Sequence, residues 1–203
     1  MRVIVVTHPT PKDIRKAIDL RADDYIIGVD QAILNLYKQR IMIHLAIGDF
    51  DSLSNQGLLS TLNVIRLDPI KDETDTYQAL VEASKMNADE IFLIGGFCGE
   101  RIEHFIAHIM LFDAFPKLVM KNEESTLFVL LEGTHHLTFQ GYVSLFAYPL
   151  AILTLKGFMY PLNTHRLEVF DPLGISNEIV GEQGEIDIHQ GRVLVVLSKK
   201  EKK

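Results

Sequence analysis

Leu45-Ala46-Ile47-Gly48-Asp49-Phe50-Asp51-Ser52 decides how the N-terminal half of this chain is read. Its three apolar residues predict a short buried strand over 45–47. The chain then breaks at once into a glycine and two carboxylates two residues apart. The same succession of apolar run, polar loop and helical stretch recurs on both sides. Upstream, residues 3–6 and 25–29 predict strands. A helix over 11–20, with Ile14, Ala17 and Ile18 on one face, separates them, and a second helix over 31–38 follows. Downstream, 64–67 and 90–94 predict strands, with helices over 74–86 and 103–115. Strands that alternate with helices assemble into a mostly parallel sheet covered on both faces, so the first half is expected to be an α/β domain.

After Pro116 the rhythm changes. Short apolar runs at 125–131, 136–139, 143–147, 151–155, 167–170, 184–189 and 192–197 are punctuated by Gly133, Gly141, Gly157, Gly174 and Gly191. Strands at this spacing predict a C-terminal all-β sandwich. The expected layout is an α/β domain over 1–122 and a β-sandwich over 123–203.

The 203 residues suffice for one large domain or two small ones, and 47% apolar with 23% charged residues is the composition of an ordinary globular protein. A net charge of −7 argues against general affinity for nucleic-acid backbone, and an acidic protein that binds polyphosphate needs a cation between the two. Cys98 is the only cysteine, which excludes an internal disulfide and a cysteine-based zinc site and fits a reducing cytosol. No apolar run approaches the roughly 20 residues of a membrane-spanning helix. The N-terminus runs directly into a strand without a signal-type apolar region, so a cytoplasmic protein is expected.

Three loops carry candidate chemistry. In open α/β sheets ligands sit beyond the carboxyl ends of strands, where Asp49 and Asp51 lie. Carboxylates this close repel one another, and a hard cation such as Mg²⁺ relieves that; the same residues also suit a polar loop with a helix cap. Lys71-Asp72-Glu73-Thr74-Asp75-Thr76 opens the helix over 74–86. It reads either as capping and dipole chemistry or, because it follows another strand, as a functional cluster that could meet the first across the sheet edge. Gly95-Gly96-Phe97-Cys98-Gly99-Glu100-Arg101 joins a strand to the helix that starts near Glu103. Its glycines allow close approach to phosphates and Arg101 offers a planar fork for their oxygens, but no Walker lysine follows.

The set as a whole resembles the thiamine pyrophosphokinase family. The resemblance rests on Gly48-Asp49-Phe50-Asp51-Ser52, Lys71-Asp72-Glu73-Thr74-Asp75, the span from Gly96 through Gly99 and Arg101 to His104, the span Gly157, Tyr160, Pro161, Leu162, and Ser176-Asn177-Glu178, in that order over nearly the whole chain. It implies an α/β nucleotide domain, a thiamine-binding β-sandwich, a homodimer with thiamine near the subunit interface, and transfer of a diphosphate from ATP, the co-substrate, to thiamine with Mg²⁺. Carried onto these positions, it makes Asp49, Asp51, Asp72 and Asp75 metal ligands and catalytic residues, with Arg101 also catalytic. Asp30, Ser52, Lys71, Thr74, Gly96, Gly99, Arg101 and His104 would bind ATP. Glu103, Ser176 and Asn177 would bind thiamine. Some positions depart from the family pattern: Ala32 where glycine is common, Glu103 where aspartate is common, and His108 where asparagine is common. Glu103 and Ala32 support an alternative, a catalytically weakened regulatory homologue that still binds ATP and thiamine.

Overall fold

The computed structural model describes residues 1–51, 53–97, 102–169 and 171–200. The chain divides after Glu123 into two units, Met1–Glu123 and Glu124–Lys203. Together they make a mixed α/β protein with extensive sheet.

In the first unit the apolar runs form strands β1 (Arg2–Val6), β2 (Tyr25–Val29), β3 (Leu45–Gly48), β4 (Val64–Arg66), β5 (Glu90–Ile94) and β6 (Leu118–Lys121). Their order is β6-β5-β1-β2-β3-β4, and every pairing is parallel. The central strands are continuous apolar runs because both faces are covered; Val3, Ile4, Val5 and Val6 are fully buried. Helices α1 (Ile14–Ala17), α2 (Ala32–Lys38), α3 (Asp75–Lys85) and α4 (Ile102–Ala114) complete the unit. One apolar cluster gathers Ile4, Val6, Ile14, Ala32, Leu36 and Ile94, and another gathers Ile33, Ala46, Phe50, Leu53, Leu58 and Leu59. The parallel register brings the strand ends level: Val6 lies opposite both Gly28 and Ile94, and Val29 opposite Ile47. Thr7, Asp30, Asp49 and Gly95 therefore emerge along one carboxyl edge, where the direction of winding reverses at β1.

The helix expected over 11–20 is a single turn. Asp13 caps it through the Arg15 N–H, and Ile18 is already extended. The cause is tertiary. The buried Arg2 guanidinium takes the Asp19 carbonyl at 2.8 Å and grips Asp24 with two bonds of 2.8 and 2.7 Å, which pulls the chain back toward β2. Strand β6 was not expected, nor was the 3₁₀ helix over Gln56–Thr61.

The second unit contains β7 (Ser125–Leu130), β8 (Gly133–Leu137), β9 (Tyr142–Lys156), β10 (Leu162–Glu168) and β11 (Gly184–Ser198), all paired antiparallel. Four of the expected short strands are in fact two long ones: β9 and β11 each run 15 residues. Their pairing shifts register between Ile188 and Gln190 and again between Gly191 and Val193. Bulges bend a strand without ending it, and Pro149, which has no N–H to donate, falls in the stretch that the second shift leaves out of register. Alternate residues of both strands, from Val143 to Leu155 and from Ile186 to Leu197, enter one apolar cluster with Phe158 and Leu167. No helix among the described residues is long and apolar enough to cross a membrane.

Candidate active site

Asp30 leaves β2 in the left-handed region, at φ 46°, and its N–H donates to the Ile47 carbonyl at 3.0 Å. This turn aims its carboxyl at the start of the next loop. A Cβ at Gly48 would stand 2.1 Å from Asp30 Oδ1, so the close approach requires glycine there. The Phe50 N–H then donates to Asp30 Oδ1 at 3.2 Å. Phe50 also has a left-handed backbone, at φ 61°, a strained conformation for an aromatic residue. Its fully buried ring, packed with Leu53, Leu58 and Leu59, holds it there. With Phe50 inward, Asp49 stays at the edge. Arg66, at the end of β4, donates to the Asp49 carbonyl at 2.9 Å and lies 5.3 Å over the Phe50 ring.

The third acid comes from α3. Thr74 is its N-cap, accepting from the Tyr77 N–H at 3.1 Å, and Asp75 is its first residue. Carboxylate oxygens of Asp30, Asp49 and Asp75 all lie within 4.8 Å of one another. Burial first, then the neighbouring Asp75 carboxyl and the Asp49 charge, push the Asp30 pKa up to about 7. The Lys71 ammonium pairs with Asp75 Oδ1 at 2.6 Å, and both side chains are largely sheltered. Carboxyl oxygens gathered this closely in a sheltered place are a donor set suited to a hard divalent cation such as Mg²⁺.

Not all the expected acids join them. Asp51 and Asp72 are exposed and stand outside this group of three; the Asp51 N–H donates to Asp49 Oδ1 at 3.0 Å. Ser52, Gly99 and Arg101 lie outside the described residues. Gly95 and Gly96 turn at φ 93° and 74°. The turn is held by backbone bonds from Gly95 to the Lys121 carbonyl, 3.3 Å, and from Gly96 to the Pro9 carbonyl, 3.0 Å. Buried His108 of α4 sits 3.1 Å from the Gly96 carbonyl, which can only accept, so Nδ1 carries the proton. Burial holds the His108 pKa below its ordinary value, so the ring is neutral at pH 7. His104 is half-buried in the first turn of α4, and Glu103 is exposed. Ala32 is fully buried in the core, where its methyl packs.

In the second unit, Asn177 joins two loops. Its Oδ1 accepts from the Tyr160 and Glu178 N–H groups at 3.0 and 2.9 Å, and its Nδ2 donates to the Tyr160 carbonyl at 2.8 Å. Asn177 is thus buried and engaged with backbone, whereas Ser176 beside it is exposed and left-handed at φ 55°. Arg66 and Thr7 were not singled out by sequence, and Thr76 entered only as the last residue of the 71–76 stretch. They lie at strand ends or in a helix turn, and only register brings them to the site.

A family model described as "Thiamin pyrophosphokinase, catalytic domain" matches residues 19–122, and one described as "Thiamin pyrophosphokinase, vitamin B1 binding domain" matches 130–193. The chain belongs to the thiamin pyrophosphokinase family. The thiamine pyrophosphokinase of Bacillus subtilis (strain 168) is 28% identical over 215 residues, spanning 98% of this chain and 99% of the relative. The solved thiamin pyrophosphokinase from Geobacillus thermodenitrificans is similar with a TM-score of 0.87 at 27% identity, covering 99% of each chain. A thiamin pyrophosphokinase family protein from Enterococcus faecalis reaches 0.86 at 25%, covering 99% of this chain and all of its own. The yeast thiamin pyrophosphokinase, at 13% identity and a TM-score of 0.70 over 97% of this chain and 85% of its own, shares the fold. Within the family frame, the catalytic match contains Asp30, Asp49 and Asp75, and the vitamin B1 match contains Tyr160 and Asn177.

Proposed function

We infer that this chain is a thiamine pyrophosphokinase, which transfers a diphosphate from ATP to the hydroxyl of thiamine and releases AMP and thiamine diphosphate. The observation that carries this reading is the convergence of Asp30, Asp49 and Asp75, from three separate elements, in a chain whose two halves match the family's catalytic and vitamin B1 binding domains. In this reading residues 1–122 bind ATP and residues 123–203 form a β-sandwich that binds thiamine. The molecule works as a cytoplasmic homodimer, with thiamine near the subunit interface.

Asp30, Asp49 and Asp75 would hold Mg²⁺, and exposed Asp51 and Asp72 stand in the same two loops to complete its surroundings. When bound, the ion supplies the positive charge that lets an acidic protein accept a triphosphate. Lys71, Thr74 and the Gly96 turn, with Ser52, Gly99, Arg101 and His104, bind the nucleotide and orient its β-phosphorus. Glu103 and Ser176 contact thiamine, and Asn177 shapes the loop that does so. The thiamine oxygen forms a bond to the β-phosphorus as the bond from that phosphorus to the bridging oxygen of AMP breaks. The hydroxyl proton passes to an aspartate of the cluster. Catalysis by this arrangement is mainly positioning and charge stabilisation.

Purified protein with ATP, Mg²⁺ and thiamine is expected to form AMP and thiamine diphosphate in equal amounts. Asp49→Asn and Asp75→Asn should each lower kcat by a factor on the order of 100 or more while circular dichroism shows an intact fold. Tight binding of both substrates without AMP release would instead identify a regulatory homologue.

A further inference from the structure

Thr7 immediately follows β1, precedes the segment matched by the catalytic-domain model, and has no place among the residues discussed as ligands. It is 5% exposed, as is Thr76, and their hydroxyl oxygens are 2.9 Å apart in a buried hydrogen bond spanning 69 positions of sequence. Thr76 is the second residue of α3, next to Asp75. On its other side Thr7 abuts the glycine turn. Its N–H donates to the Ile94 carbonyl at 3.0 Å, a Cβ on Gly95 would lie 2.4 Å from its carbonyl oxygen, and one on Gly96 would lie 3.0 Å from its Cγ2. The Thr10 hydroxyl donates to the Thr7 carbonyl at 3.0 Å and fixes that peptide.

We propose that Thr7 is a positioning residue that locks the first turn of α3, and with it Asp75, to the strand edge carrying the Gly95–Gly96 turn. The inference rests on reading Asp30, Asp49 and Asp75 as the metal site. A threonine suits the role because it presents two chemically different faces. The methyl packs beside Gly96, whose side-chain space is taken mainly by the His108 ring, and the hydroxyl reaches across to a helix. Buried hydroxyls have no water to fall back on, so each one's alternative to the other is an unsatisfied group. A helix start fixed this way cannot slide along β1, and the separation of Asp75 from Asp30 and Asp49 is set before a cation arrives. The N-cap bond of Thr74 orders the helix internally but does not attach it to the sheet; the Thr7–Thr76 bond does.

The test compares Thr7→Val, Thr7→Ser, Thr76→Val and the Thr7→Val/Thr76→Val double variant of the full chain. Unfolding in urea gives their stabilities, and electron paramagnetic resonance gives Mn²⁺ affinity without turnover. Thr7→Val is expected to fold and to bind Mn²⁺ about tenfold more weakly, as is common when a residue behind metal ligands is lost. Thr7→Ser, which keeps the hydroxyl, should stay within about twofold of the parent. The double variant, with neither hydroxyl orphaned, should regain most of the stability lost in either single variant but not the Mn²⁺ affinity. Parent-like Mn²⁺ affinity in Thr7→Val overturns the proposal. So does a Thr7→Ser variant as weak as Thr7→Val, or a double variant that recovers affinity together with stability. Asp75→Asn separates the two readings: if it leaves Mn²⁺ affinity unchanged, the metal site itself is wrong and the role of Thr7 is overturned with it.

Discussion

Asp30 holds its proton up to about pH 7, against an ordinary value of 3.8, because it is sheltered and faces Asp75 and Asp49. The folded state therefore binds this proton more tightly than the unfolded chain does. Relative to high pH, the group stabilises the fold fully below about pH 4, and that contribution drains away as pH rises to about 7, above which it is gone. The metal-free parent should thus lose stability between about pH 4 and about pH 7 relative to Asp30→Asn, with pH-dependent urea unfolding as the measurement. An identical pH slope in both proteins would deny Asp30 its raised pKa. Excess Mg²⁺ should remove the difference, because a cation takes the place of the proton. Lys71 makes a second case. Its ammonium neutralises part of the cluster through Asp75. Lys71→Met is expected to bind free Mn²⁺ several-fold more tightly, as the local charge becomes more negative, while its KM for ATP rises. Weaker Mn²⁺ binding in calorimetric titration would show that the lysine supports the cation site instead of competing with it.

Secondary structure was legible wherever one local signal sufficed. Residues 25–29 and 90–94 were read with their observed limits because their covered stretches, 26–29 and 91–94, are unbroken by any polar side chain. α3 was read within a residue at each end because Thr74 caps it and Ala79, Leu80 and Ala83 share its buried face. The misreadings came where distant contacts decide. α1 stops after one turn because Arg2 and Asp24 draw the following chain away. β9 and β11 were each divided at Pro149 and Gly191, residues that usually end strands but here sit at register shifts inside them. Gly191, at φ 81° with the Leu150 carbonyl 2.1 Å from where a Cβ would stand, makes this bend possible. Gly191→Ala should lower stability by more than about 1 kcal/mol, seen as a lower urea midpoint with unchanged slope. An unaffected midpoint would mean that the strand can bend elsewhere.

Taken as one molecule, the chain shows why motif order was readable and site geometry was not. Five short patterns in sequence named the family, but which carboxylates meet depends on parallel register. Val29 opposite Ile47 puts Asp30 beside Gly48, and the inward ring of Phe50 leaves Asp49 at the edge with Asp51 exposed. Spacing alone treats Asp49 and Asp51 alike, and likewise Asp72 and Asp75. The Thr7–Thr76 bond is of the same kind, invisible to any window shorter than the 69 positions it spans. The most direct measurement is anomalous diffraction from a crystal soaked in Mn²⁺ with a non-hydrolysable ATP analogue. The account predicts a manganese peak bounded by the carboxylates of Asp30, Asp49 and Asp75. A peak elsewhere, with those three side chains making no contact to it, would contradict it.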